Sequence, residues 1–158
     1  MNGSILFASS FGLILLGLAN QPIPGAGQVR SGEKHAAHFQ KCAEECNSCQ
    51  RACDSCAIHC ARLLAQGKKE HLVTLQACQD CATHCSAAAS IVARQGPFSD
   101  TICKACAEAC VRCAKECDKH AAHDAEMKQC ADACRRCEQA CRAMLAHLDG
   151  AKTTERRD

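Results

Sequence analysis

The sequence predicts an all-α protein, an antiparallel four-helix bundle with a core lined by cysteine side chains. All 18 cysteines of the 158-residue chain fall in four stretches, where they follow one another at steps of three or four residues. This spacing places side chains on one face of an α-helix. Trp and Tyr are absent, and so are the β-branched runs typical of strands. Four helices joined by short connections pack most simply up-down-up-down, with each cysteine stripe facing the axis.

The first 32 residues differ in composition from the remainder. An apolar stretch from Ile5 to Ala19 is too short to span a bilayer comfortably. It is typical of the hydrophobic region of a secretory signal, with Gly17 and Ala19 as a small-x-small cleavage pattern. No Lys or Arg precedes it and no twin arginine is present, so the alternative is a flexible leader or a misplaced start codon. We expect no stable membrane insertion.

The chain divides into three predicted segments. Residues 1–32 form the hydrophobic leader followed by a linker, because residues 21–32 are rich in Pro and Gly. Residues 33–150 form the four-helix bundle. Residues 151–158 are charged and predict a disordered tail.

Turn and cap residues set the expected bounds of the helices. The first helix runs from about Glu33 to Ala65 and is ended by Gly67. The second begins at Glu70 and is stopped by residues 95–97, which include Gly and Pro. Ser99 or Asp100 can cap the third helix, and Asp124 can cap the fourth, which ends at Gly150.

The up-down topology predicts two chemically different ends of the bundle. One end, the mouth, gathers His71, His120, His123 and Met127, whose side chains are of metal-binding type. The opposite end is expected to be closed by apolar side chains, namely Phe39, Val92, Phe98, Ile102, Leu145 and Leu148. Met144 is a candidate ligand at that closed end. His59, His84 and His147 fall off the stripes and are expected to be solvated.

Charge and side-chain chemistry exclude two classes of function. The formal charge is only +2, and acidic and basic residues are interspersed, so the sequence gives no support for nucleic-acid binding. No nucleophile paired with a base, and no carboxylate dyad, is indicated beside a substrate pocket, which argues against an enzyme.

Cysteine occupies core-facing positions where larger apolar residues would be usual, and this choice requires an explanation. Leu or Ile would bury more hydrocarbon, about 0.8 kcal/mol per CH2, so packing does not explain 18 thiols. Disulfides between facing helices are one alternative. However, residues at i and i+4 on a helix have Cβ atoms about 5–6 Å apart, whereas a disulfide requires about 3.5–4.5 Å.

Metal–thiolate binding is the interpretation that the pattern favours. Soft thiolates select Cu(I), Zn(II) or iron–sulfur clusters. With metal–sulfur bonds of about 2.3 Å, a linear unit of two sulfurs and one ion spans about 4.6 Å, close to a Cys-x3-Cys pair on one helical turn. One Cu(I) per thiolate also leaves the core near neutral. A metallothionein-like buffer for Zn(II) or Cd(II) is the second alternative.

These stripes resemble the copper storage proteins, bacterial four-helix bundles whose cores hold many Cu(I) ions. The resemblance covers about residues 33–150 and includes eight Cys-x3-Cys pairs. It implies storage of many Cu(I) ions, about one per cysteine by the charge argument above. It also implies an open end of the bundle where His or Met residues admit copper, which in this chain is the mouth with His71, His120, His123 and Met127. The metal ligands that it implies are Cys42, Cys46, Cys49, Cys53, Cys56, Cys60, Cys78, Cys81, Cys85, Cys103, Cys106, Cys110, Cys113, Cys117, Cys130, Cys134, Cys137 and Cys141.

The resemblance also carries expectations about partners and location. It implies a homotetramer, and a copper chaperone or a copper enzyme as the protein that delivers or receives the metal. Export to the periplasm is expected if residues 1–19 act as a signal peptide. The high cysteine count is closer to the cytosolic members of the family, so a cytoplasmic location is the alternative.

Overall fold

A computed structural model describes the backbone of residues 26–155 as four long helices. They are α1 (Ala26–Ala65), α2 (Leu72–Ala93), α3 (Ser99–Asp118) and α4 (Ala125–Glu155), and a single 3-10 turn, Lys69–His71, precedes α2. No strand occurs within these residues. The predicted all-α class is confirmed. Each helix in this described part of the chain is too short or too polar to cross a bilayer.

The helices form an antiparallel square in which each one packs against its two neighbours. α1 contacts α2 and α4, and α3 contacts the same two helices from the opposite corner. Between residues 26 and 155, diagonally opposite helices have no Cα atoms in contact. Their separation leaves the axis of the bundle to side chains alone, and the predicted four-helix bundle is confirmed.

Cysteine and alanine side chains fill most of the core. Every one of the 18 cysteines is buried, and none exceeds 2% exposure. Small alanines such as Ala57, Ala82, Ala107 and Ala131 accompany them. Bulkier buried side chains stand toward the two ends of the cysteine column, with Met127 at one end and Met144 and Val92 at the other. The cysteine-lined core predicted from the stripes is therefore present along the bundle.

Two helix bounds differ from those predicted. Helix α1 begins at Ala26, so the linker expected over residues 21–32 is wrong for residues 26–32. Helix α4 continues to Glu155, so the disordered tail expected from residue 151 is wrong as far as Glu155. The first error came from taking the Pro and Gly residues of 21–32 as signs of a linker, and the second came from taking Gly150 as a helix end. A glycine inside a helix costs only about 1 kcal/mol relative to alanine and does not stop it.

The predicted leader, residues 1–19, lies outside the described residues. The leader therefore stays a prediction, as does the division of the chain into three segments apart from the two bounds corrected above.

The connection after α1 follows the prediction that Gly67 ends the helix. Gly67 has φ of +86°, a conformation that glycine adopts without a steric penalty. Its N–H donates to the Leu64 carbonyl at 2.9 Å, and the Lys68 N–H donates to the Leu63 carbonyl at 3.1 Å. This is the Schellman pattern, which satisfies carbonyls at the end of a helix.

The two predicted helix caps had different outcomes. Asp124 caps α4, because its Oδ1 accepts hydrogen bonds from the N–H groups of Glu126 and Met127, both at 3.1 Å. The predicted cap of α3 is wrong for Ser99, whereas Oδ1 of Asp100, the other candidate, accepts a hydrogen bond from the N–H of Thr101 at 2.7 Å. Helix α3 begins at Ser99 itself, and the Ser99 hydroxyl donates to the Gly96 carbonyl at 2.6 Å. The preceding turn thus holds the Ser99 hydroxyl away from the N–H groups of the first helical turn.

Candidate metal centre

The thiols of the four helices form one continuous array of sulfur atoms along the bundle axis. The Sγ atoms of Cys137 and Cys46 lie 3.6 Å apart, and those of Cys49 and Cys134 lie 3.7 Å apart. Contacts across α2 and α3 are equally short, with Cys85 at 3.7 Å from Cys106. Helices α1 to α4 therefore all contribute sulfur to the same array.

Sets of four thiols lie close enough to bind one ion together. In each set all Sγ atoms lie within 4.8 Å of one another. Five of these sets are Cys46/Cys106/Cys137/Cys141, Cys49/Cys53/Cys81/Cys134, Cys49/Cys81/Cys85/Cys110, Cys53/Cys113/Cys130/Cys134 and Cys56/Cys78/Cys117/Cys130. Four of these five sets overlap, because several cysteines belong to two of them. The remaining set, Cys46/Cys106/Cys137/Cys141, adjoins the others through the contact of 3.7 Å between Cys106 and Cys85.

No disulfide links any of the cysteines, all of which lie between residues 42 and 141 and are free thiols. Disulfide sulfurs are about 2.05 Å apart, whereas the short Sγ to Sγ contacts here are 3.6–4.0 Å. The disulfide-stapled bundle has no support in this geometry.

The sulfur separations fit three-coordination more closely than the linear unit predicted from sequence. Within one helix, Cys49 and Cys53 are 3.9 Å apart, and Cys81 and Cys85 are 4.0 Å apart. Three sulfurs around one ion at bonds of about 2.3 Å would be about 4.0 Å from one another. A linear unit, which spans about 4.6 Å, requires each pair to open slightly by side-chain rotation.

Burial and thiol hydrogen bonds set the protonation of the array. Burial raises the pKa of Cys60 to about 11. Hydrogen bonding with Cys113, followed by other thiols and by burial, raises the pKa of Cys53. Hydrogen bonding with Cys110 lowers the pKa of Cys49, because a neighbouring S–H can donate to a thiolate. Each thiolate thus depends on protonated neighbours, and metal binding throughout the array must release protons.

The mouth of the bundle contains an imidazole nitrogen with no hydrogen-bond partner. His71 is 7% exposed, and neither its Nδ1 nor the Oγ1 of the neighbouring Thr74 has a partner within the described residues. The rings of His71 and His120 lie 4.3 Å apart. Burial, followed by the nearby charge of His120, lowers the pKa of His71. The neutral form, which is the metal-binding form of histidine, is therefore favoured.

The other two residues predicted at the mouth are arranged differently. Met127 is fully buried in the first turn of α4. His123 is exposed in the connection between α3 and α4, and its N–H donates to the carbonyl of His120 at 3.1 Å. The structure therefore pairs His71 with His120, puts Met127 in the core, and leaves His123 at the surface.

His59 is not simply solvated, which corrects the prediction for this residue. Its Nε2 lies 2.6 Å from Oδ2 of Asp124, and its Nδ1 lies 3.5 Å from Oε2 of Glu126. Burial alone would raise the pKa of Asp124, but the hydrogen bond from His59 and those from the α4 backbone lower it. The pair ties α1 to the start of α4, beside the mouth.

Replacing Asp124 by Ala is expected to destabilise the protein by about 1–2 kcal/mol, because both the helix cap and the contact with His59 are lost. The pKa of Asp124 is lower in the folded state. Its contribution is therefore present above its unfolded pKa and is lost as the pH falls through the folded pKa. Urea unfolding of the wild type and of the Asp124→Ala variant, at pH 7 and near pH 3, measures the difference in stability between them. A difference in stability that did not shrink in acid would contradict it.

The end opposite the mouth is only partly apolar. Phe39 and Val92 are buried, and Ile102, Leu145 and Leu148 pack against the core. Phe98 is 68% exposed, so its predicted place in the apolar closure is wrong. The turn before α3 holds it outside.

Three histidines cluster at this end, which the sequence analysis missed. Nε2 of His147 lies 2.7 Å from Nδ1 of His35, and the rings of His38 and His147 stack at 4.3 Å. The prediction that His147 is solvated is therefore wrong. The cluster could have been predicted, because an antiparallel arrangement places the start of α1 next to the end of α4.

The fold and the thiol array together define a class of protein, a helical bundle whose core is a continuous site for soft metal ions. A sequence profile described as copper storage protein matches residues 35–146, which is more than half of the chain. The chain belongs to the copper storage protein family. No curated protein gives a significant match.

Solved structures give the same result. A cytosolic copper storage protein from Streptomyces lividans with five coppers is 34% identical, with a TM-score of 0.65, and the alignment covers 73% of this chain and 98% of that one. The same protein with 10 copper equivalents is 30% identical over 82% and 93%, with a TM-score of 0.62. Cu(I)-bound BsCsp3 is 32% identical over 68% and 98%, with a TM-score of 0.62.

Proposed function

We propose that this protein stores Cu(I) in its core, about one ion per cysteine, with all 18 thiols as ligands. The overlap of the thiol sets supports this proposal. Cys49, for example, belongs to two of the sets of four, so two ions bound there would share its sulfur. A thiolate can bridge two Cu(I) ions, and an array of shared thiolates suits a multinuclear Cu(I) assembly.

Charge distinguishes Cu(I) from a divalent ion in this core. A tetrahedral zinc site with four thiolates carries a charge of −2, and its sulfurs lie about 3.8 Å apart, a spacing that the array also offers. Such sites would put several uncompensated negative charges into a core whose thiols are almost fully buried, at a high cost in desolvation. One Cu(I) per thiolate is neutral, and it uses every cysteine.

An anaerobic titration tests storage. Reduced protein, with its thiols counted, receives Cu(I) in competition with a chromophoric Cu(I) chelator. Uptake is expected to continue to about one Cu(I) for each of the 18 thiols, with release of protons. Saturation at one or two equivalents would refute storage. A parallel titration with Zn(II) should give at most about one ion per four thiols, because zinc takes four ligands.

The mouth is where we propose that copper enters. Its ligands are His71, His120 and Met127, and His123 is the exposed residue that first meets the ion. The unpartnered Nδ1 of His71 supports this, since a buried nitrogen without a hydrogen bond is costly unless it binds something.

Replacing His71 and His120 by Ala is expected to slow Cu(I) transfer from a chelator at least about twofold without lowering the final capacity, since all thiols remain. Stopped-flow absorbance of the chelator measures the rate. His84→Ala is the matched control, because His84 lies on the outside of α2 with its Nδ1 2.9 Å from the Asp80 carbonyl. Equal rates for all three proteins would exclude the mouth as a point of uptake.

We further propose that the protein is not an enzyme. Ser55, His59 and Asp124 lie near one another, but the Ser55 hydroxyl donates to Glu126 at 2.6 Å, while His59 pairs with Asp124. The histidine is thus engaged by a carboxylate and not by the serine, so the three side chains do not form a nucleophile–histidine–acid arrangement. The contact of Ser55 with Glu126 is exposed, which fits a structural contact between α1 and α4.

Assembly and location are part of the same proposal. We expect a homotetramer, which light scattering after gel filtration would measure, and delivery or withdrawal of copper by a chaperone or a copper enzyme. The relative from Streptomyces lividans is described as cytosolic. Sequencing the N-terminus of the protein from cells decides the location here, since export predicts cleavage near residue 19 and the cytoplasmic alternative predicts an uncleaved leader.

A further inference from the structure

The end opposite the mouth has a surface layer of imidazoles, which we term the histidine end and define as His35, His38 and His147. Helix α1 supplies the first two, one turn apart, and α4 supplies the third. His147 contacts both of the others, through a 2.7 Å nitrogen to nitrogen contact with His35 and through stacking on His38. All three lie on one side of the end, where the start of α1 meets the end of α4.

A cleft connects this layer to the thiol core. The cleft, about 440 Å³ in volume, lies between α1 and α4, and His38, Met144 and Cys42 all line it. His38 is exposed, whereas Met144 and Cys42 are 1% and 2% exposed. Sγ of Cys42 lies 3.9 Å from Sγ of Cys103, so the wall of the cleft includes the first sulfur of the array.

The order of ligand types along this path is imidazole, thioether and thiolate, from the surface inward. The mouth has the same order, with His71 and His120 outside, Met127 in the first turn of α4, and Cys130 behind it. The inner ligands, thioether and thiolate sulfur, are soft, and Cu(I) prefers such soft ligands to the surface imidazoles. A path of this kind draws a Cu(I) ion inward without a change of oxidation state.

We propose that the histidine end is a second Cu(I) transfer site, in which His35, His38 and His147 receive the ion and Met144 passes it to Cys42. The proposal rests on the storage function proposed above. It replaces the expectation of a closed end with a bundle that exchanges copper at both ends.

Charged residues beside the cleft determine in what form Cu(I) would arrive at this end. Lys41 and Arg136 also line the cleft, and Arg136 is paired with Glu45 at 3.9 Å. These cations would repel a bare cuprous ion. They favour delivery as an anionic complex, such as Cu(I) bound by a negatively charged chelator.

Stopped-flow transfer of Cu(I) from its anionic bicinchoninate complex tests the proposal on the full chain. Four proteins are compared: wild type, a mouth variant (H71A/H120A), a histidine-end variant (H35A/H38A/H147A) and the combination of both. Two parallel routes predict that either variant alone loads about half as fast, whereas the combination loads more than about tenfold more slowly. Met144→Leu, which conserves volume, should resemble the histidine-end variant, and His84→Ala should load at the wild-type rate.

The final number of Cu(I) ions bound distinguishes a failure of the second transfer site from a failure of the storage function. If all variants reach the wild-type number of Cu(I) ions and the combination loads no more slowly than the mouth variant, the second site is refuted while storage stands. If the wild type takes up only one or two ions, storage fails, whatever the rates. Crystals with a few equivalents of Cu(I) give a direct check. Anomalous scattering from copper is expected beside Met144, and its absence there at every loading level would also overturn the proposal.

Discussion

Full loading with Cu(I) is expected to raise the midpoint of thermal unfolding by about 30 °C or more. The core of the metal-free protein consists mainly of cysteine and alanine, which bury little hydrocarbon. An ion held at a free concentration 100 times its dissociation constant adds about 2.7 kcal/mol. Five such ions would add about 13 kcal/mol, and each kcal/mol shifts the midpoint by about 2–4 °C in a protein of this size.

Differential scanning calorimetry under anaerobic conditions measures this change at increasing Cu(I) content. The midpoint should rise with each addition and return to the metal-free value after a strong Cu(I) chelator removes the ions. A change below about 5 °C at full loading would show that the ions are bound outside the core, where they would not link the helices.

Replacing Cys49, Cys53 and Cys134 together by Ser is expected to lower the capacity by at least about three Cu(I), because each thiolate balances one ion. These residues lie at the middle of the array. Sγ of Cys134 is 3.7 Å from both of the others, and two of the overlapping sets of four include Cys134. Ions that share the missing sulfurs would be weakened as well.

The triple variant is expected to fold, because serine is close to cysteine in size and its hydroxyl can donate a hydrogen bond to the carbonyl four residues earlier in its helix. Ala131→Ser is the matched control, since Ala131 is fully buried in α4 and the change adds a core hydroxyl while keeping every thiol. The control should retain the wild-type capacity in the chelator titration. If the triple variant also retained it, the central thiols would not be ligands.

The bundle could be predicted from the sequence because its determining signal is local. Steps of three and four residues fix one face of a helix without knowledge of the partner helix, and that face consists of cysteine in all four helices. Asp124 shows the same principle at a single residue. Its side chain caps the helix that immediately follows it, so the cap was predictable from neighbouring sequence alone.

Contacts between distant residues were not predictable in this way. His59 and His147 were judged by their own helix face, but His59 pairs with Asp124 across α1 and α4, and His147 pairs with His35 across the same two helices. Phe98 was placed in the core on its apolar character, whereas the conformation of the turn leaves it exposed. The linker and the helix end at Gly150 were predicted from glycine and proline content, but a glycine inside a helix costs only about 1 kcal/mol and does not fix where the helix ends.

Overlap of the thiol sets determines how copper would move after it is bound. An ion at Cys49 in one set already touches a ligand of the next, so it can exchange one sulfur at a time and advance along the axis while it stays coordinated. Stored ions would then form a single exchanging pool in place of fixed compartments. An isotope of copper added last would mix with copper added first, and the order of arrival would not decide the order of release.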